Sequence, residues 1–524
     1  MNKNIFLLVL MILVNISWVY PAKQQEYDIC IYGGTSAGVI AAYSAKMMGK
    51  SVVLIAADNH IGGLTTGGLG ETDIGNKNAI TGLSRDFYRR MGAYYGTDEA
   101  WKFEPKMASK VYEDYISEAQ FPILKNQRLK KVKKEGKWIS TIYLENSGRP
   151  GKGVRCISAR MFLDCSYEGD LMAKAKISYT VGREANSVYN ETYDGVQFME
   201  GHQFPDGIDP YKISGDPKSG LLWGISNETL APNGTGDKKV QAYNYRICLT
   251  DVPENRIPIT RPENYDSTKY ELLLRLIQKT GKTTIYDYFI WSGMPNHKTD
   301  INNRNGFSTD MIGASWDYPE ASYKKRQKIV DAHTDYTKGL LYFVGHDLRF
   351  PEALRNQMLR WGYPKDEFTQ YGNFTPQLYI REARRMVGEY VMTQSNCVGK
   401  TVVSDPIGLA AYTMDSHNAQ RVVVNGMVKN EGNVEVGGFP PYPISYRSLT
   451  PKKDECANLL VPVCLSASHI AYGSIRMEPV FMVLGQSSAI AAVQAIDTNK
   501  AVQDVDVQKI LKILNEDPLL KSQK

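Results

Sequence analysis

The stretch Tyr27–Ile55, YDICIYGGTSAGVIAAYSAKMMGKSVVLI, constrains the fold more than any other part of the chain. Ile29–Tyr32 is a short apolar run of the kind that forms a strand buried on both faces. A glycine turn follows at Gly33-Gly34, and Ala37 to Met48 carries the small and apolar residues of a helix packed on a sheet. Val52–Ile55, apolar and mostly β-branched, closes a βαβ unit of the length expected for half of a dinucleotide-binding domain. Gly33 permits the turn, and Gly38 lets helix and strand approach closely. The amides of Gly34, Ser36 and Ala37 lie at a helix N-terminus, where the dipole favours the negative charge of a pyrophosphate.

The spacing departs from G-x-G-x-x-G at one place, where Thr35 stands at the middle glycine. The acid expected on the adenosine ribose is displaced as well. Ala56 occupies the end of the second strand, and Asp58, two residues on, is the candidate to replace that acid. A nicotinamide enzyme depends heavily on that contact, whereas a buried flavin dinucleotide has many others, so FAD is the expected cofactor. An ordinary βαβ unit without a nucleotide is the alternative reading of the same pattern.

At 524 residues the chain has room for two or three domains. Its first residues have the form of a signal peptide over 1–22: Lys3 is the positive start, Ile5 to Val14 the apolar core, and Ala22 the small residue before cleavage. The expected location is therefore the periplasm or the cell exterior. That core is too short for a membrane span, and no later run is expected to form one. The net charge of +6 comes without a Lys/Arg cluster interleaved with aromatics, so nucleic acid is not an expected partner. The basic run Lys125 to Lys137 reads as the solvated face of a hairpin. Seven cysteines lack C-x-x-C spacing, and no metal site is expected. Cys456 and Cys464 are near enough in sequence to pair, or to remain as buried thiols.

After the βαβ unit, DNHIGGLTTGGLGETD is too rich in glycine for a helix and reads as a loop folded along the cofactor, with Gly62, Gly63 and His60 inside it. A histidine here can bond covalently to a flavin ring; a non-covalent cofactor is the expectation. Helical spacing covers Thr81 to Tyr95 and Lys106 to Ala119, Phe121 to Asn146 alternates as a β-meander, and Cys156 to Asp164 is another buried strand. A helix is expected to begin at Gly169-Asp170. From residue 181 to 396 Tyr, Trp, Asn, Pro and Gly accumulate, which suits a substrate or cap domain that stacks on and hydrogen-bonds a polyol. Helices are expected there over Tyr323 to Tyr336, Pro351 to Trp361 and Leu378 to Met392. The last would place Arg381 and Arg385 on one face, to clamp a carboxylate or to anchor the helix by salt bridges. A buried strand over Leu459 to Val463 and a long helix from Glu478-Pro479 complete the chain.

These readings give an α/β fold: a Rossmann-like FAD-binding domain over 26–180 with a β-meander insertion, a mixed α+β substrate or cap domain over 181–396, a return to the FAD-binding domain over 397–500, and a tail over 501–524. The chain resembles the FAD-dependent oxidoreductase family of two-dinucleotide-domain flavoproteins, and within it the exported bacterial branch that often carries the label "xanthan lyase". The resemblance rests on IYGGTSAGVIAA, HIGGLTTGGLGETD, FLDCSYEGDLMAKA, LYIREARRMVGEY, YTMDSHNAQR, YPISYRSLTP and NLLVPVCLSASHIAYGSIRMEPVFMVLGQSSAIAA, which span nearly the whole chain in order. It implies that Gly33, Gly34, Ser36, Ala37 and Gly38 hold the ADP part of FAD, and that Gly62, Gly63 and Leu64 line the flavin. It also implies that Ser466, His469 and the helix start near Arg476 face the ring. The chain departs from its relatives at Pro462-Val463-Cys464, where they show Ala-Gly-Arg, and at Cys165-Ser166-Tyr167, where they show an Ala-Thr-Gly-like turn.

Flavin chemistry needs a substrate C–H over N5, a base for the partner proton, and positive charge near N1. The helix start at Glu478 and Arg476 are the candidates for the charge, His469 is the first candidate for the base, and His417 in MDSHN is the second. Each histidine is also readable as a structural residue. Three function classes follow: a redox flavoenzyme oxidising a sugar or uronate hydroxyl by hydride transfer and passing electrons to an unassigned acceptor, a polysaccharide lyase with the flavin assisting or absent, and a non-enzymatic sugar-binding surface protein.

Overall fold

A computed structural model describes residues 24–516. Residues 1–22, read above as a signal peptide, and residues 517–524 lie outside the described residues. The expected βαβ unit is present as β1 (Gln24–Tyr32), α1 (Ser36–Met47) and β2 (Val52–Ile55). It continues into α2 (Gly82–Tyr95), α3 (Pro105–Ala119), β3 (Ile123–Leu124), the hairpin β4 (Gln127–Glu135) and β5 (Trp138–Asn146), β6 (Arg155–Asp164) and α4 (Asp170–Lys174). The sheet runs β3-β2-β1-β6-β5-β4. The strands β3, β2, β1 and β6 are parallel, with Ile31 paired to Leu54 on one side and Leu163 on the other. The hairpin is antiparallel and leaves its lysines largely on the solvent side, as the alternation requires.

Strand β6 divides its outer edge between two partners. Its first half pairs with β5, through Thr141 and Ser158, and its second half accepts a parallel strand from far along the chain. That strand is shorter than expected, covering only Leu459–Leu460, and residues through Val463 leave the sheet.

From there the chain passes through α6 (His469–Ile475) into α7 (Glu478–Thr498), with Pro479 in the first turn. Both α1 and α7 are buried nearly along their length, and they pack backbone to backbone. A Cβ on Gly485 would stand 2.5 Å from the Ala37 carbonyl oxygen, so only glycine admits this contact. By length and composition α7 reaches the span of a membrane helix, contrary to the expectation that no later run does so. Its apolar window is 94% buried inside the protein, where it forms the core under the sheet.

The middle region departs from the expected pattern at Leu378 to Met392, which is extended rather than helical. Its one regular element, Arg384–Met386, pairs antiparallel with Tyr179–Val181. Every residue from 378 to 386 is buried, whereas a helix with this sequence would leave one face in water. Arg381 and Arg385 consequently serve different partners: Arg381 Nη1 lies 3.3 Å from Asp310, and Arg385 bonds Glu382 at 2.7 Å and Glu184 at 2.9 Å. Elsewhere the helix expected from Tyr323, α5 (Tyr323–His346), runs on past Tyr336, and a short helix covers Glu352–Leu359. Cys456 and Cys464 are both free. The Cys464 thiol faces the carbonyls of Ser166 and Tyr167 at 3.4 and 3.3 Å instead of another sulfur.

Candidate active site

A cleft of about 360 Å³ opens at the carboxyl ends of β1 and β2, where ligands bind in open α/β sheets. Gly33, Gly34 and Thr35 form its floor, Asp58, His60 and Gly63 one side, and Ser166, Tyr167 and Glu168 the turn after β6. Gly33 has φ +117°, and a Cβ there would meet the Cys165 carbonyl carbon and the Ser166 nitrogen at 2.5 Å. Thr35 has a local reason to replace the middle glycine. Its Oγ1 accepts from the Gly38 amide as the cap of α1 and donates to the Cys165 carbonyl at 2.8 Å, tying the nucleotide turn to the end of β6.

The glycine-rich segment reaches the cleft at His60 and Gly63, and Gly63–Thr66 makes one helical turn where no helix was expected. His60 Nε2 lies 2.8 Å from the Gly63 carbonyl and 3.0 Å from Thr66 Oγ1, and the Asp58 carboxylate accepts from the His60 amide at 2.9 Å. Of the remaining expected contacts, Ser36, Ala37 and Gly38 form the first turn of α1 behind the floor. Gly62 and Leu64 brace the loop through bonds to the Gly34 carbonyl and to the Tyr167 hydroxyl.

Ser466, His469, His417 and Arg476, all expected at the flavin, are not among the residues lining this cleft. Ser466 Oγ is buried and accepts from the Gly388 amide at 3.1 Å. His469, 1% exposed, places Nδ1 2.7 Å from Glu382 Oε2 and Nε2 3.0 Å from Ser416 Oγ. Burial opposes ionisation of Glu382, but His469 and Arg385 beside it bring its carboxyl down to about 2. Both nitrogens of His469 are therefore engaged inside the protein.

His417 has a different setting. Its Nδ1 lies 2.6 Å from Asp310 Oδ2, while Nε2 has no hydrogen-bond partner among the described residues, with Asp415 Oδ2 3.8 Å away. The side chain keeps 13% of its surface open. Burial, reinforced by the charge of Arg381, holds the His417 imidazole below its ordinary value of 6.5. Burial works against ionisation of Asp310 as well, yet Arg381 and His417 keep it below the usual carboxylate range. Arg476 belongs to the same network. It bonds the Tyr379 hydroxyl at 2.8 Å and Asp415 Oδ2 at 2.9 Å, and the Nε atoms of Arg381 and Arg476 are buried without a partner among the described residues.

The extended segment 376–381 joins the two regions. Pro376, Gln377, Leu378 and Ile380 line the cleft, while Arg381 reaches Asp310 and Tyr379 reaches Arg476. Asp310 and Gln241, whose Oε1 accepts from Arg476 Nη2 at 3.1 Å, lie in none of the motifs read in the sequence, and Tyr167 and Tyr379 lie in two of them without a role assigned there. Only the folded chain reveals them.

The sequence matches the family model of FAD dependent oxidoreductases over residues 28–514. The chain belongs to the FAD-dependent oxidoreductase family. No curated protein matches the sequence. Among solved structures, L-proline dehydrogenase from P. horikoshii is similar at 15% identity and a TM-score of 0.19, over 31% of this chain and 25% of that one. THI4 from Thermovibrio ammonificans is similar at 16% identity and 0.24, over 32% of this chain and 71% of that one. L-amino acid deaminase from Proteus vulgaris is similar at 14% identity and 0.24, over 31% and 53% respectively.

The cleft of this oxidoreductase fits FAD. Its floor is a glycine turn opening a buried helix, whose first amides have no intrahelical acceptor and favour a pyrophosphate. Arg128 and Arg326 bring positive charge to the walls, Arg326 held by Asp170 at 2.8 and 3.0 Å. The oxidoreductase also has a carboxylate group of metal-binding geometry at Glu104, Asp366 and Glu367. The buried Lys298 ammonium stands among them at 2.6–2.8 Å and takes the place of a cation.

Proposed function

We propose that this FAD-dependent oxidoreductase is exported and oxidises a carbohydrate-like alcohol, a sugar or uronate, with His417 as the proton acceptor. The observation that carries the reading is the Asp310–His417 pair, an imidazole oriented by a carboxylate with no hydrogen-bond partner for its second nitrogen among the described residues, joined to the cleft by Arg381, which contacts Asp310 at 3.3 Å and follows the cleft-lining Ile380. His469 yields the role because both its nitrogens are bonded and its ring is buried.

Bound FAD supplies the acceptor for the electron pair that leaves the substrate carbon. His417 Nδ1–H donates to Asp310, which fixes the tautomer and leaves the Nε2 lone pair to take the hydroxyl proton. The substrate CH–OH becomes C=O as its carbon-bound hydrogen departs with two electrons. The Tyr- and Trp-rich middle region suits sugar rings. Export is supported by the charged start, apolar core and Ala22 of the first 22 residues.

The test is anaerobic mixing of the purified yellow protein with hexoses, uronates, hydroxy acids and amino acids. Expected is loss of flavin absorbance with a sugar or uronate, and a carbonyl product lighter by two hydrogens. Bleaching by amino acids alone, or by none of the alcohols, would overturn the reading.

A further inference from the structure

Glu478 opens α7 and is 4% exposed, yet no cation pairs with it among the described residues. Its carboxylate instead gathers three hydroxyls. Oε2 accepts from Ser36 Oγ at 2.5 Å and Thr65 Oγ1 at 2.8 Å, and Oε1 accepts from the Tyr167 phenol at 2.7 Å. The Tyr167 oxygen in turn accepts from the Leu64 amide at 2.8 Å.

The three donors come from three walls of the nucleotide cleft. Ser36 stands in the first turn of α1, directly after Gly33–Thr35. Thr65 lies in the glycine-rich segment that lines the cleft at Gly63, and Tyr167 belongs to the turn after β6 that lines it from the other side. We propose that Glu478 is a positioning residue for the cofactor, drawing these walls together into the shape that receives FAD. The proposal rests on FAD as cofactor and is independent of the substrate.

The chemistry of the group supports this assignment. An ionised carboxylate accepts through two oxygens and takes the protons of three hydroxyls at once, whereas a glutamine offers one accepting oxygen and an NH2 donor, leaving at least one hydroxyl proton without its acceptor here. A buried carboxylate without a cation is costly, and burial raises its pKa even though the Ser36, Tyr167 and Thr65 hydroxyls work to lower it. The N-terminus of α7 offsets part of that cost. The Ser36 hydroxyl is likewise assigned to Glu478, which leaves its backbone amide as its contribution to the cleft.

The experiment uses apoprotein of the wild type, Glu478→Gln and Tyr167→Phe, titrated with FAD and followed by flavin fluorescence, with thermal unfolding of each FAD-free protein measured alongside. Tyr167→Phe removes one hydroxyl and keeps the ring, so it decides the matter if Glu478→Gln does not fold. Expected is an FAD Kd raised at least about tenfold in both variants, the worth of one charge-assisted hydrogen bond, and beyond what any change in the Tm of the FAD-free protein accounts for. Kd values within about twofold of the wild type, or losses of affinity matched by losses of apoprotein Tm in both variants, would overturn the proposal. Wild-type protein that takes up no FAD would overturn the cofactor reading itself, which separates the two failures.

Discussion

His417 Nδ1 lies 2.6 Å from Asp310 Oδ2, and this contact sets which ring nitrogen is basic. With the proton of the neutral ring on Nδ1, the lone pair belongs to Nε2, the nitrogen without a partner among the described residues. In Asp310→Asn the donor-only Arg381, 3.3 Å from Oδ1, takes the amide oxygen, which turns the amide NH2 toward His417 Nδ1 and favours the opposite tautomer.

His417→Gln should keep bound FAD and slow substrate-dependent bleaching by at least about a hundredfold, the usual worth of a general base, with Asp310→Asn close behind. Since burial and Arg381 hold the His417 imidazole below 6.5, the wild-type rate should climb with pH in the acid range and level off by neutrality. Stopped-flow bleaching across pH checks both; an unchanged rate in His417→Gln removes the residue from the chemistry.

Thr35→Gly restores the middle glycine of the fingerprint and should nevertheless weaken the protein. It removes the Thr35 hydroxyl from the Cys165 carbonyl and from the cap of α1. A loss of about 1–2 kcal/mol is expected in denaturant unfolding. A more stable variant would show that Thr35 stands there for another reason.

Lys298→Met should be far more damaging. The Lys298 side chain is fully buried, and its removal leaves Glu104, Asp366 and Glu367 without their central cation. Burial already raises Glu367 to about 7 against the pull of Lys298. The expected cost is about 3–5 kcal/mol, read from equilibrium unfolding.

Acid stability should bear the mark of His333, which is buried and bonded through Nδ1 to the Ile329 carbonyl at 2.7 Å. Burial lowers its pKa from 6.5 to about 4, so between those values the unfolded chain binds the proton and the folded chain does not. Stability is therefore lost as pH falls through that window, by up to about 3 kcal/mol from this group. His333→Gln, compared with the wild type in unfolding at pH 7 and pH 4.5, should show a smaller acid-induced loss.

His60 Nε2 is engaged by Gly63 and Thr66, which makes the histidine a brace for the glycine-rich loop. Acid precipitation should therefore release the flavin into the supernatant. Yellow colour retained in the pellet and lost in His60→Ala would establish a covalent link instead.

The sequence by itself determined the βαβ unit, the helices near Thr81 and Lys106, the meander, and the late return to the sheet, because each is written in a local period or a glycine turn. In the folded chain Gly33, Gly34, Asp58 and Gly63 line one cleft. Only the tertiary structure decided the segment from Leu378 to Met392. Helical spacing there is real, but burial from 378 to 386 on all sides and pairing with Tyr179–Val181 hold it extended, and tertiary packing overrides local propensity. The same holds for the polar centres. Asp310 meets His417 across 107 residues, and Glu478 meets Ser36 across 442. Hydrogen bonds between such distant residues leave no period in the chain, since they arise only when separate elements bury polar groups that must find partners.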